Sequence, residues 1–131
     1  MRILSWNCRG LDNPFAILQC QKNAQEYKPS ILFMMETKLD RDKGAGILKK
    51  CGFWKGWEVP RVGLSGGLLL GWLPDQKLTI MHSSRDLIHT DLLDHKGTEK
   101  LSTRFRLTRK VRNPRLEHLF SIKTIKLLSR W

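Results

Sequence analysis

The sequence predicts an α/β protein built on a mixed β-sheet with flanking helices. Three observations carry that prediction. The chain opens strand, helix, strand, helix; it then runs through several strands in succession; and segments 31–35 and 68–70 are unbroken apolar runs. Alternating strands and helices imply a parallel pair under a helical layer. Successive strands imply hairpins, and a strand without polar alternation implies burial on both faces.

The elements follow in order. Residues 2–6 alternate and are rich in β-formers, which predicts a short strand. Arg9-Gly10-Leu11-Asp12-Asn13-Pro14 is turn chemistry, with Asn13 placed to cap a helix and Pro14 at its first position. The apolar residues Phe15, Ile17, Leu18 and Cys20 begin that helix, which runs to about Tyr27 before Pro29. Residues 30–37 predict a strand buried on both faces and closed by Glu36. A second helix is expected over 40–51, capped by Asp40 and stopped by Gly52. The aromatic segment 53–60 is strand-like, 61–67 is a loop, and 68–73 is another buried strand. Weaker strands are expected at 77–82, 87–93 and 101–107, the last two joined by a turn at 94–97. A basic helix is expected over 114–131.

At 131 residues the chain has the size of one domain or less. An apolar share of 40% excludes a mainly disordered chain. No apolar run approaches the ~20 residues that span a bilayer, and the opening residues lack the apolar core of a signal peptide. Cys8, Cys20 and Cys51 are an odd number without CxxC spacing, so neither a disulfide framework nor a zinc site is indicated. An intracellular setting, nucleus or cytoplasm, is the expectation.

Charge is unevenly placed. The net charge is +12, yet residues 100–131 hold ten basic side chains against Glu117 alone. Such a cluster points either to a polyanionic partner, DNA first among nucleic acids, or to a solvated basic face. The candidate nucleic-acid-binding residues are Arg104, Arg106, Arg109, Lys110, Arg112 and Arg115.

Two residues are candidates for chemistry. Glu36 leaves a core strand directly, where a carboxylate is expensive to desolvate unless paired or bound to a metal. Asn7 ends the first strand in the same way. Parallel neighbours bring both to the carboxyl end of the sheet, where open α/β sheets place ligands. One carboxylate and one amide make a hard oxygen site suited to magnesium. The alternative is that Asn7 caps the turn at Arg9-Gly10 while Glu36 pairs with Lys38 or Arg9. Ser65-Gly66-Gly67 is either a phosphate cradle or a tight turn. His82, His89, His95 and His118 show no ligand spacing, and Cys8 should face away from Asn7.

The segment Ile3-Leu4-Ser5-Trp6-Asn7-Cys8-Arg9-Gly10-Leu11 resembles the opening of the endonuclease domain of plant non-LTR (LINE-type) retrotransposons, within the deoxyribonuclease I-like endonuclease/exonuclease/phosphatase family. Residues 28–39, ending in Glu36-Thr37-Lys38-Leu39, look like the second block of that family. Gly52-Phe53 and residues 62–72 look like its third. The resemblance covers 1–73 and loosens to about 108, which implies a partial domain over 1–108 and a diverging basic helical tail over 109–131. It implies the N-terminal half of a four-layer α/β sandwich, with two mixed sheets face to face and helices outside. It also implies magnesium-dependent phosphodiester hydrolysis, with Asn7 as the active-site asparagine and Glu36 as the metal ligand. The Asp-x-Asn and Ser-Asp-His motifs of the family do not occur, and Val111-Arg112 stand where its tyrosine and glycine belong. Two expectations follow: a truncated endonuclease domain inactive alone, or a basic, non-catalytic nucleic-acid-binding fragment.

Overall fold

The computed structural model describes residues 2–93, 99–107 and 118–121, the last four by their backbone. In chain order the elements are β1 (Arg2–Asn7), α1 (Pro14–Tyr27), β2 (Ile31–Met35), α2 (Gly44–Lys50), β3 (Lys55–Val59), β4 (Leu68–Trp72), β5 (Leu78–Ser83), β6 (Leu87–Leu93), β7 (Lys100–Arg106) and β8 (His118–Ser121).

β1 and β2 are parallel neighbours, in register from Ile3 against Ile31 to Asn7 against Met35. A parallel pair needs a crossover, and α1 supplies it. Asn13 caps this helix as expected, extended at φ −127°, with its Oδ1 accepting from Ala16 N at 2.9 Å. Lys28 ends it in the left-handed region at φ +46° and donates its N–H to Ala24 O at 3.0 Å. The helix buries Cys20, Asn23 and Ala24, while Phe15 and Leu18 stay exposed.

Antiparallel strands complete a five-stranded mixed sheet in the order β3-β4-β2-β1-β8. β5, β6 and β7 form a second sheet, and its described strands pair antiparallel. The short turn between β5 and β6 leaves no length for a parallel crossover. Within the expected helix 114–131, residues His118–Ser121 are a strand instead, paired with β1. β1 has an open hydrogen-bonding edge, which a strand satisfies and a helix does not. The remainder of 114–131, and the turn 94–97, lie outside the described residues.

The five-stranded sheet is covered on both faces. Leu4, Trp6, Leu32, Met34 and Leu69 pack on one side with Leu11, Cys20, Ala24, Ile47, Leu48 and Phe53 around the helices. Ile3, Ile31, Phe33, Met35, Leu68 and Leu70 pack on the other with Ile88, Leu92 and Phe105 of the second sheet. The described architecture is thus helices, mixed sheet, antiparallel sheet: three layers of the four that the sequence implied.

The second helix starts later than the sequence suggests. α2 begins at Gly44, and Asp40 does not cap it. Glu58 of β3 does so from across the sheet, its Oε1 accepting from Asp42 N at 2.5 Å and its Oε2 from Gly44 N at 3.0 Å. Asp40 instead meets Arg61, Oδ1 to Nε at 2.8 Å.

What seats α2 is an absence of side chains. Gly56 and Gly71 are cross-strand partners on β3 and β4. A Cβ on Gly71 would stand 2.7 Å from Leu48 Cδ2 and 3.1 Å from Phe53 Cβ, and one on Gly56 would strike Leu48 and the Leu70 carbonyl. Leu48 therefore rests on bare backbone. Gly71→Ala should overpack this seat and lower stability by about 1–3 kcal/mol, measured by chemical denaturation. Gly46→Ala, in the same helix with nothing within 4 Å of the added carbon, should be neutral or stabilising by up to about 1 kcal/mol.

Candidate active site at the exit of the parallel strands

β1 and β2 end together, and the chain beyond them is laced into a single platform. Cys8 N donates to Met35 O at 3.1 Å, Gly10 N to Glu36 O at 2.7 Å and Leu11 N to Thr37 O at 2.8 Å. On the other flank Thr37 N donates to Gly67 O at 3.1 Å and Lys38 N to Gly66 O at 2.8 Å. The loops after β1, after β2 and before β4 thus continue the sheet's hydrogen bonding past its strands. Gly67 is required at this point, because a Cβ there would collide with Thr37 Oγ1.

Asn7 and Glu36 come together on this platform, as the βαβ spacing predicts. Asn7 is directly across from Met35, the residue before Glu36. Alternation along β1 puts Asn7 on the face of Ile3, toward the second sheet. It is 2% exposed, and its Oδ1 accepts from Arg9 N at 3.2 Å. The capping role that the sequence left open for Asn7 is therefore present. The ion-pair alternative for Glu36 is not: among the described residues the side-chain ion pair is Arg61–Asp40.

Glu36 is half-buried and sits in the left-handed region at φ +52°. Arg9 at φ +51° and Lys38 at φ +54° share that conformation. Such backbone is uncommon for residues with a Cβ and concentrates at functional sites.

Glu36 opens on a cleft of about 150 Å³ that Gly66, Gly67, Arg85, Asp86 and Leu107 also line. Arg85 and Asp86 belong to the turn between β5 and β6. That turn is held by Ser84 N to Leu87 O at 2.8 Å and Leu107 N to Asp86 O at 2.9 Å. The cleft is thus the mouth between the two sheets, and Asp86 brings a second carboxylate to it. Sequence reasoning missed Arg85 and Asp86. The turn itself was legible between two strand candidates, but its position over the end of β2 depends on how the sheets stack.

A larger hollow of about 470 Å³ lies beside α2 and β3, walled by Phe53, Trp54, Trp57 and Glu58, and includes neither Asn7 nor Glu36. Among the described residues no three His, Cys, Asp or Glu side chains converge as a metal site.

The remaining candidates fall elsewhere. Cys8 donates its thiol to Met35 O at 3.0 Å, and burial pushes that thiol up to about 12, so it is no nucleophile at neutral pH. Arg104 and Arg106 are exposed on β7, across from His89 and Leu87. His89 Nε2 is 2.6 Å from Ser102 Oγ on the same outer face. Arg109, Lys110, Arg112 and Arg115 lie outside the described residues.

The left-handed conformation of Glu36 yields a test that separates backbone from side chain. Glu36→Val should cost about 1–2 kcal/mol, because a β-branched residue resists this region. Glu36→Gly should be at least as stable as the parent. Chemical denaturation of both proteins measures the difference.

No family model and no curated protein matches this sequence. Solved structures do match. The catalytic domain of human Nocturnin, with a bound sulfate anion, aligns at a TM-score of 0.58 and 15% identity over 79% of this chain and 48% of its own. The AP endonuclease LMAP from Leishmania major aligns at 0.58 and 16% over 81% of this chain and 39% of its own. The 3′ phosphatase NExo from Neisseria, bound to a product DNA hairpin, aligns at 0.52 and 23% over 70% of this chain and 37% of its own. The chain spans less than half the length of each. These likenesses agree with the layers described above, and they establish that the chain carries part of the deoxyribonuclease I-like, or endonuclease/exonuclease/phosphatase, fold.

Proposed function

We propose that the chain is the N-terminal part of a divalent-metal-dependent phosphodiester hydrolase, of the kind found in plant LINE-type endonucleases, and that it does not cleave by itself. The observation that carries this reading is the adjacent exit of Asn7 and Glu36 from parallel strands, with Glu36 lining the mouth between two sheets. Solved proteins with this fold include a phosphatase bound to product DNA and an AP endonuclease.

The donors present fit magnesium. Glu36 and Asp86 line one cleft with hard oxygen atoms, and magnesium takes one or two carboxylates while keeping several waters. A bound ion would polarise a phosphoryl oxygen and stabilise charge on the leaving oxygen. The chain's own residues do the rest of the positioning. Asn7, buried beside Glu36 with its Oδ1 held by Arg9 N, would orient the strand exit by hydrogen bonding. Arg85 adds a fixed positive charge to the same cleft.

The base is the part missing from this reading: among the described residues no histidine lines the cleft, and both of its carboxylates are assigned to the metal. His89 is engaged with Ser102 on the outer face of the second sheet, away from the cleft. A positioned general base is typically worth about 10²–10⁴-fold in rate, and its loss combines non-additively with that of other groups. The test is nicking of supercoiled plasmid in magnesium by the purified chain beside Glu36→Ala. The expected result is no difference between the two. Nicking by the parent that vanishes in Glu36→Ala would overturn the claim that the chain is inactive alone.

A second reading, a basic nucleic-acid-binding fragment without catalysis, is favoured by Arg104 and Arg106, exposed at alternate positions of β7. Their contacts would be with phosphates, weak at about 10⁻⁴–10⁻⁶ M and steeply lost with salt. Replacing both by alanine should reduce the slope of log affinity against log salt by about 2, read by fluorescence anisotropy on a duplex. An unchanged slope would remove these two residues from the interface.

A further inference from the structure

The three cysteines are spaced without any pattern in the sequence, yet the fold brings two of them into contact. Cys20 lies on the buried face of α1, and Cys51 is the residue that caps the C-terminus of α2. Their sulfur atoms are 2.8 Å apart. Both backbones are fixed around this contact. Cys20 is inside a helix of 14 residues, and Cys51 N donates to Ile47 O at 3.2 Å and to Leu48 O at 3.0 Å. Beside them Gln21 Nε2 donates to Lys50 O at 3.2 Å, a second tie between the same two helices. From below, Met34 Sδ of β2 touches Cys20 Sγ at 3.4 Å. The setting is a sulfur-lined seam between two helices and the sheet.

We propose that Cys20 and Cys51 are a disulfide site, closed by exchange with a small disulfide such as oxidised glutathione, which pins α1 to the end of α2. A bonded sulfur pair is about 2.05 Å apart, so closure asks for less than an ångström of relative movement.

The two sulfurs are not equivalent. Cys20 is fully buried, whereas Cys51 is 9% exposed. The two thiols share one hydrogen bond in which either sulfur can donate, and of the two Cys51 is the one that reaches solvent. Cys51 is therefore the sulfur that an incoming disulfide meets first, and it attacks as its thiolate. It displaces one glutathione thiolate and forms a mixed disulfide. Cys20 then loses its proton to solvent or to the departing thiolate, attacks Cys51 Sγ, and displaces the second glutathione. Two cysteine thiols are oxidised by two electrons in all, and one glutathione disulfide is reduced to two thiols. Cys8 packs at the edge of the same cluster but takes no part, because its thiol is donated to Met35 O at 3.0 Å.

The experiment uses the whole chain, equilibrated in buffers of reduced and oxidised glutathione, quenched with acid, and alkylated after unfolding. The expected oxidised product has lost two hydrogen masses, carries one alkyl group, and gives that group at Cys8 on peptide mapping. Cys8→Ser should form the same cross-link and carry no alkyl group. Cys20→Ser should trap glutathione on Cys51; should that variant not fold, the Cys8→Ser map decides alone. The oxidised parent should melt several degrees above the reduced form, since a closed loop restricts the unfolded chain. Three alkylatable thiols at every glutathione ratio, a cross-link through Cys8, or a lower melting temperature on oxidation would each overturn the proposal.

Discussion

A strand with no solvent face governs this molecule. Every residue of β2, from Ile31 to Met35, is buried, so neither side of the central sheet can be left to water. Leu32 and Met34 call for the helices, and Ile31, Phe33 and Met35 call for the second sheet. The same demand fixes the topology. β2 must sit inside its sheet, flanked by β1 through the α1 crossover and by β4 through an antiparallel return. Polar groups are then pushed to the strand's ends. The first residue after β2 is Glu36, and the amide beside it is Asn7. The site lies at the exit because the interior of the sheet has no room for it.

Most of this could be read from the sequence where the signal was local. Asn13-Pro14 specify the start of α1 by themselves, through one side-chain oxygen and one missing N–H. Five consecutive apolar residues specify β2. The parity of β1 places Asn7 and Cys8 on opposite faces without any tertiary information. Failures came where a partner distant in sequence decided the outcome. Asp40 has the chemistry of a cap, but Glu58, presented from β3, takes the backbone donors at the start of α2. The sequence predicts a basic helix over 114–131, but an open edge on β1 makes residues 118–121 a strand. Phe15 and Leu18 are apolar yet stay in solvent, because the face of α1 that meets the core runs through Ala16, Ile17, Cys20, Asn23 and Ala24.

The candidate site divides along the same line. Asn7 and Glu36 were visible because each ends a strand whose burial is obvious and whose parallel pairing follows from spacing. Asp86 and Arg85 were not, since nothing in residues 84–86 reports that the turn folds over the mouth of the cleft. Cys20 and Cys51 were hidden for a similar reason: their contact is a product of two helices meeting on one face of a sheet.

The left-handed conformations of Arg9, Glu36 and Lys38 have a consequence for how such a chain changes over generations. At all three positions glycine or asparagine would relieve the backbone, so folding alone favours losing these side chains. Charge at the strand exit and ease of folding therefore pull in opposite directions. A lineage released from any demand on the cleft would drift first at these positions, and its core would be the last part to show it. Glu36 in this chain is a carboxylate that stability has no reason to keep.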